Sequence, residues 1–346
     1  MKVLHVLASN IFSGAENVVC QIINLFDEDE MVYCSPKGKI EEQLKNKNIN
    51  YIPLNKLSVC ELKKAIKTFK PDIIHAHDVR ACVVSAMTAK KIPIIAHIHF
   101  NDKKVMGKFS LKSFLFNFFS NKFKHVFWVS QSCFDCYKFK NKIKDKSTVL
   151  YNVISLDSLY KKLTKEENQK KYDVVYLGRL HPNKNPVRLV EIMSKLCKQN
   201  KKATMALIGD GQLREVVEQK IKDLKLENNI SMLGYQENPY NIVNNSKVML
   251  MTSICEGTPM CALESLALGV PIVSTETDGL VDLLNKKGTG YLYKEDDEAV
   301  KFISDIINNK VDLTKNCNDF AQKHNNLKVY KQKIKQVYSD VLTAKF

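Results

Sequence analysis

Residues Glu256 to Thr275 read EGTPMCALESLALGVPIVST, and their order predicts a loop, a short helix and a strand. Thr258 followed by Pro259 is expected as an N-cap and first helical position, Gly269 as the residue just past the helix end, and Pro271 to Ser274 as a buried strand. The first helical turn carries no acidic side chain and is entered through Gly257. Free backbone N–H groups and a positive dipole end therefore face outward and favour an anion. Glu256 stands in the loop, and Glu264 stands inside the helix among the apolar positions Met260, Leu263, Leu266 and Ala267. A carboxylate in such a place needs a partner.

A capping loop plus one surface glutamate would be the plain reading of two isolated carboxylates. Here the pair comes with Gly257, Thr258, Pro259, Gly269 and Pro271 in fixed order, which argues for a site. Glu256 and Glu264, eight residues apart, resemble the E-x7-E motif of retaining GT-B glycosyltransferases, specifically the large family 4 group.

At 346 residues the chain is long enough for two domains, each with its own core. Apolar residues make up 45% and charged residues 26%, the balance of a soluble globular protein, and no apolar run is long enough to span a bilayer. The opening MKVLHVLASN is too short for a signal peptide and is expected as a first buried strand. Ten cysteines are scattered without a framework, which fits reduced thiols in a cytosolic compartment. Cys133 and Cys136 form a C-x-x-C with no second pair or His spacing to complete a zinc site, so no metal site is expected. The formal net charge of +16 implies an anionic partner in general, although much of it reads as a solvated lysine-rich surface.

Strand-like and helical runs alternate along both halves, which predicts α/β architecture with parallel, doubly wound sheets. The polar, weakly periodic stretch 153–169 is expected as a linker between an N-terminal domain, 1–152, and a second domain, 170–326. The terminal stretch 327–346 reads as an amphipathic helix, with Leu327, Tyr330, Ile334, Val337, Tyr338 and Val341 on one face. Ligands of such sheets lie at the carboxyl ends of the strands. The resemblance implies the GT-B arrangement, two Rossmann-like domains facing a crevice, with the final helix packed on the first domain.

Candidate site residues follow from strand ends. Ser9 to Glu16 lies between the first strand and its helix, and a single glycine there is common in tight turns. The family resemblance implies that Gly14 lies beside the donor diphosphate, although many members have two adjacent glycines where this chain has Ser13-Gly14. Asp173 to Pro186, DVVYLGRLHPNKNP, puts Arg179 and Lys184 on a loop with Gly178, and a guanidinium fork plus a point ammonium suits two adjacent phosphates. The spacing resembles the family's diphosphate clamp. Gly209 and Gly211 follow another strand, and the resemblance places them in the nucleotide pocket, with the base near Leu233 and Tyr235. His75, His77, His97 and His99 lie at strand ends, which points to a site, with one or two of the four serving structure. The segment 92–99 resembles the family strand that ends in the active-site histidine, and His99 is the match. Asp278-Gly279-Leu-Val-Asp282 departs from the two glycines and glutamate found there in many members.

Residues 101–124 interleave Lys103, Lys104, Lys108, Lys112, Lys122 and Lys124 with Phe109, Phe114, Phe116, Phe118, Phe119 and Phe123. Two readings stand open: a basic amphipathic surface that lies on an anionic membrane through 103–124, or phenylalanines packed into the first domain.

Together the resemblance implies a retaining, metal-independent enzyme that moves a sugar from a nucleotide-diphosphate donor, with UDP expected, to a glycan or lipid-linked acceptor in surface polysaccharide biosynthesis. Its catalytic set is His99, Glu256, Arg179 and Lys184, and no cofactor is expected. Arg179, Lys184 and the helix N-terminus at Thr258, Pro259 and Met260 would hold the leaving diphosphate. Glu264 would take the ribose hydroxyls, and Glu256, Gly257 and the following N–H groups the transferred sugar. The mechanism implied is a front-face displacement, in an enzyme of the cytosol docked on the inner membrane face. Two alternatives are a GT-B nucleotide-sugar epimerase and a basic nucleic-acid binder. The stacked aromatics of the latter are missing, so nucleic acid is not expected as a partner.

Overall fold

The computed structural model describes residues 1–99, 106, 110–163, 170–284 and 288–343. Contacts divide the chain into two units, Met1–Asn152 with Leu327–Phe346, and Val153–Asn326.

Unit 1 is built on a seven-stranded sheet in which every pairing is parallel. Its strands are β1 (Lys2–Leu7), β2 (Glu30–Pro36), β3 (Tyr51–Leu54), β4 (Ile73–His77), β5 (Ile94–Ile98), β6 (Phe123–Trp128) and β7 (Ser147–Val149), in the order β3-β2-β1-β4-β5-β6-β7. Parallel strands need crossover helices that cover both faces, which is why β1, β4 and β5 are near-continuous apolar runs and almost wholly buried. Chain order reverses between β1 and β4, and that reversal leaves the carboxyl ends of these two strands open to a ligand. The last helix, Leu327–Thr343, belongs to this unit and buries Tyr330, Ile334, Tyr338 and Val341, a spacing of four, four and three that keeps one stripe inward.

Unit 2 repeats the scheme with six parallel strands: β8 (Tyr172–Leu177), β9 (Met205–Ile208), β10 (Ile230–Gly234), β11 (Ser246–Met251), β12 (Ile272–Thr275) and β13 (Gly290–Tyr293). Their order is β10-β9-β8-β11-β12-β13, so the reversal falls between β8 and β11. The core joins Val174, Leu189, Met193, Leu207, Leu250 and Ile303 across sheet and helices. Each such side chain stabilises the fold by roughly 1.5–3 kcal/mol on burial.

Residues 153–163, expected as linker, are folded into unit 2. Ser155 caps the helix Leu156–Lys161, Leu159 is buried, and the Tyr160 hydroxyl donates to the Ala267 carbonyl at 3.0 Å. The remaining linker positions, 164–169, lie outside the described residues. Helices Asp278–Leu284, Asp296–Ile307 and Thr314–His324 add to the predicted set.

In the decisive stretch the helix is Met260–Ala267, and Pro259 takes the N-cap place expected for Thr258. Pro259 is extended, with ψ 127°, and its carbonyl accepts from Ala262 and Leu263, so helical bonding starts one residue later. Gly269 ends the helix as expected, at φ +74°. Gly269 N–H reaches the Leu266 carbonyl and Val270 N–H the Ser265 carbonyl, which is the Schellman pattern.

The phenylalanine-rich segment divides. On the helix Leu111–Phe118, Ser113 and Phe116 are buried, while Leu111, Phe114 and Phe118 are exposed. Phe116 and Phe123 stack near Trp128 and Tyr137 in the core. Lys103, Lys104, Lys108 and Phe109 lie outside the described residues.

Candidate functional site

In unit 2 the site is assembled at the strand-order reversal. The loop after β8 carries Gly178, Arg179 and the short 3-10 turn Pro182–Lys184, and the loop after β11 carries Thr252 to Thr258. These two loops are tied together by backbone: Ile254 N–H donates to the Asn183 carbonyl at 2.8 Å, and the Thr252 hydroxyl lies 2.9 Å from the carbonyls of both Lys184 and Asn185. Lys184 Nζ is thereby brought onto Glu256 Oε1 as an ion pair, and Ser253 Oγ donates to the same oxygen at 2.6 Å. The pair is largely withdrawn from water, with 21% and 9% of side-chain area exposed. Burial pulls the Lys184 pKa down, but the charge of Glu256, the nearby Cys261 thiol and the hydrogen bond to Glu256 together outweigh this, so the ammonium is held above its ordinary value. Arg179 is exposed and has no ion-pair partner among the described residues.

Backbone approach explains the glycines. A Cβ on Gly209, which has φ +133°, would fall 1.9 Å from the Gly178 carbonyl oxygen, so the loops after β8 and β9 touch main chain to main chain. Gly211 lies against Leu180 in the same way. Gly209 N–H donates to the Gly234 carbonyl at 2.8 Å, which joins the end of β10, where Leu233 is half-buried and Tyr235 is 63% exposed. Gly257, Thr258, Pro259 and Met260 are buried at the N-terminus of Met260–Ala267, whose first turn holds no acidic residue. Glu264 is half-buried and its Oε1 accepts from the Tyr240 hydroxyl at 3.1 Å, the partner that a carboxylate on an apolar helix requires.

Sequence reasoning missed Ser253, Tyr240 and Gly279 as members of this group. Gly279 is the sharpest case: a Cβ there would lie 1.4 Å from the Gly257 carbonyl oxygen. The departure Asp278-Gly279 therefore keeps the one glycine that the contact with the Glu256 loop demands. Only tertiary pairing shows this, since Glu256 lies in the loop after β11 and Gly279 in the helix Asp278–Leu284 after β12.

In unit 1, Gly14 is exposed at the start of the helix Gly14–Leu25, next to Ser13, whose hydroxyl donates to the buried Glu16 carboxylate. Asp78, which sequence reasoning passed over, holds this loop. Its carboxylate accepts from Ala8 N–H at 2.9 Å and from Ala81 N–H at 2.8 Å, capping the helix Val79–Thr88, and its φ of +89° is rare for a side-chain-bearing residue. Burial pushes its pKa up to about 6.

The histidines form a layer on one face of the sheet. Strand alternation and the register His5↔His75 and His77↔His97 put them side by side. Three of the four expected at a ligand edge, His75, His77 and His97, are fully buried, because their face of the sheet packs under the final helix. His75 Nδ1 lies 2.7 Å from the Tyr338 hydroxyl on that helix. Only His99, past the end of β5, is half-buried. The nitrogens of His5, His75 and His77, and of His77, His97 and His99, lie within 4.8 Å of one another. The rings stack face over face, at 4.2 Å for both His75–His77 and His97–His99. In-plane lone pairs of stacked rings run alongside one another instead of converging, so the layer suits hydrogen bonding better than a tetrahedral ion.

Comparison with known proteins agrees with the fold. The model of glycosyl transferases group 1 matches residues 161–324, and that of glycosyltransferase family 4 matches residues 12–158. An Escherichia coli UDP-Gal:alpha-D-GlcNAc-diphosphoundecaprenol alpha-1,3-galactosyltransferase is 23% identical, covering 100% of this chain and 98% of its own. A Campylobacter jejuni alpha-1,4-N-acetyl-D-galactosaminyltransferase, which acts on a PP-undecaprenol-linked glycan, is 33% identical over 49% of this chain and 48% of its own. Among solved structures, Anabaena HepE in complex with UDP and glucose superposes with a TM-score of 0.86 at 20% identity, covering 98% of this chain and 100% of that one.

Proposed function

From the premise that the chain belongs to the group 1 glycosyltransferases, with their GT-B architecture of two Rossmann-like sheets, we propose that it transfers a sugar with retention from a UDP-sugar to a lipid-linked glycan. The observation that carries the donor half is the pairing of Lys184 with Glu256 beside the N-terminus of Met260–Ala267. The diphosphate would draw on three sources of positive potential: the Lys184 ammonium, the exposed Arg179 guanidinium and the free N–H groups of the helix. Those charges stabilise the leaving diphosphate as the glycosidic bond breaks, so no divalent ion is required. Gly14 is a further candidate for contact with the donor diphosphate. Gly178, Gly209 and Gly211 would shape the nucleotide pocket, with the base near Leu233 and Tyr235. Glu264, already oriented by Tyr240, would accept the ribose hydroxyls. Glu256 would meet the transferred sugar with Gly257, Thr258, Pro259 and Met260, and His99 is the active-site histidine candidate. No carboxylate is needed as a covalent nucleophile when the acceptor oxygen enters on the face the diphosphate leaves.

A lipid-linked acceptor is supported by the acceptors named for both relatives and by the surface of unit 1. Leu111, Phe114 and Phe118 are 71%, 55% and 66% exposed, and the exposed Lys112, Lys122 and Lys124 flank them. Apolar insertion rimmed by lysines suits the inner face of an anionic membrane. Radiolabelled transfer from a panel of UDP-sugars to undecaprenyl-diphosphate-linked glycans tests the reading. Hydrolysis or epimerisation of the donor with no transfer to any acceptor overturns it.

A further inference from the structure

Glu256 has two carboxylate oxygens, and the donors that meet it converge on one of them. Lys184 Nζ pairs with Oε1, and Ser253 Oγ donates to the same atom at 2.6 Å. Oε2 has no hydrogen-bond partner among the described residues, and it is not sealed from solvent. One oxygen is held by the protein, and the other is left as an acceptor.

The two donors hold Oε1 in different ways. A lysine ammonium is a point charge on a flexible stem with three rotatable N–H groups, so it can follow a carboxylate through many orientations. Ser253 has no such freedom. It is 2% exposed, and its hydroxyl reaches only as far as its backbone allows. That backbone is fixed from several sides. The Thr275 hydroxyl, at the end of β12, donates to the Ser253 carbonyl at 2.7 Å. Before it, the Thr252 hydroxyl lies 2.9 Å from the carbonyls of Lys184 and Asn185, and after it the Ile254 N–H donates to the Asn183 carbonyl at 2.8 Å. A hydroxyl has a single hydrogen, and this one is aimed at Oε1. Lys184 supplies charge, and Ser253 supplies direction.

We propose that Ser253 is a positioning residue for transfer, fixing the plane of the Glu256 carboxylate so that Oε2 stays available to accept from a hydroxyl of the transferred sugar. Without it the ion pair persists, but the carboxylate can rotate or take the ammonium on both oxygens, and Oε2 is lost to the ligand. UDP carries no sugar, so its binding does not depend on that orientation. This rests on the reading of Glu256 as the residue that meets the transferred sugar.

The test compares the full chain with Ser253→Ala and with Ser253→Cys, which stays close in volume and offers only a weak donor. Crystal structures of the variants should show the Glu256 carboxylate turned, or in two orientations, on an intact pair with Lys184. By calorimetry UDP should bind as before, whereas kcat/KM for the UDP-sugar should fall about 10- to 100-fold, as expected for loss of a hydrogen bond to a charged group. An unmoved carboxylate in both variants overturns the inference, as does undiminished transfer in either folded variant. So does UDP affinity that falls as far as transfer, because Ser253 would then merely hold the loop. Absence of transfer by the unsubstituted protein from every UDP-sugar would instead remove the proposed function, and the carboxylate orientation would still decide the positioning.

Discussion

Lys184 and Glu256, 72 residues apart, meet as an ion pair at the point where the strand order of the second sheet reverses. The contact joins the loop after β8 to the loop after β11.

Lys184→Ala should leave the fold intact and weaken UDP binding. A charge-assisted hydrogen bond contributes roughly 1.5–3 kcal/mol, which corresponds to about 10- to 100-fold in affinity. Arg179→Ala should do the same without disturbing Glu256. Calorimetric titration with UDP decides the matter, and unchanged affinity in both variants would remove the clamp.

Activity should survive EDTA, because in the proposed site the diphosphate charge would be met by Arg179, Lys184 and helix N–H groups. A strict requirement for added magnesium or manganese would contradict this.

Gly279→Ala should be far more damaging than an ordinary glycine substitution, since the new Cβ would fall 1.4 Å from the Gly257 carbonyl oxygen. Backbone must move, and the Glu256 loop moves with it. Strain or overpacking of this kind costs on the order of 1–3 kcal/mol. Thermal unfolding and UDP affinity should both fall; a variant with wild-type values for each would show that the helix at Gly279 does not pack on the Glu256 loop.

Stability should drop in mild acid. Burial lowers His5 and His99 to about 3, and His75, His77 and His97 well below the ordinary range. A group with a depressed folded pKa of this kind stabilises fully above the unfolded value of about 6.5, and that contribution is lost as pH falls toward the folded value. Asp78 has the opposite sign: its folded pKa is raised to about 6, so its contribution grows as pH falls from there toward about 4. Five imidazoles outweigh one carboxyl, and urea midpoints should decline from pH 7 to pH 5 with more than one proton taken up on unfolding. Flat midpoints across that range would mean that the layer is not buried in neutral form.

Anionic liposomes should capture the protein at low salt. Each lysine near the surface contributes on the order of 1 kcal/mol, so changing Lys112, Lys122 and Lys124 together to Glu should weaken co-sedimentation, and Phe114→Ser with Phe118→Ser should remove the salt-resistant part. If the unsubstituted protein ignores such liposomes, the exposed phenylalanines serve some other contact.

Periodicity and turn chemistry alone determined the alternation of strands and helices. Strand runs such as Ile94–Ile98 and helix signals such as Gly269 are local, set by backbone sterics and by which side chains can face an apolar layer. The donor-side candidates were legible for the same reason, because strand ends, glycines and a carboxylate on an apolar helix stand out in one dimension. Tertiary structure alone decided which of them touch. Ser253 and Tyr240 look like ordinary polar residues until folding sets them against Glu256 and Glu264, and Gly279 looks like a turn glycine until a carbonyl from another loop fills the space of its Cβ. The histidines reverse the lesson. Their spacing promised a ligand edge, and the final helix, more than two hundred residues later, covers that face and turns His75 and its neighbours into core. Burial is a property of what packs on top, and no local pattern encodes the approach of a distant segment.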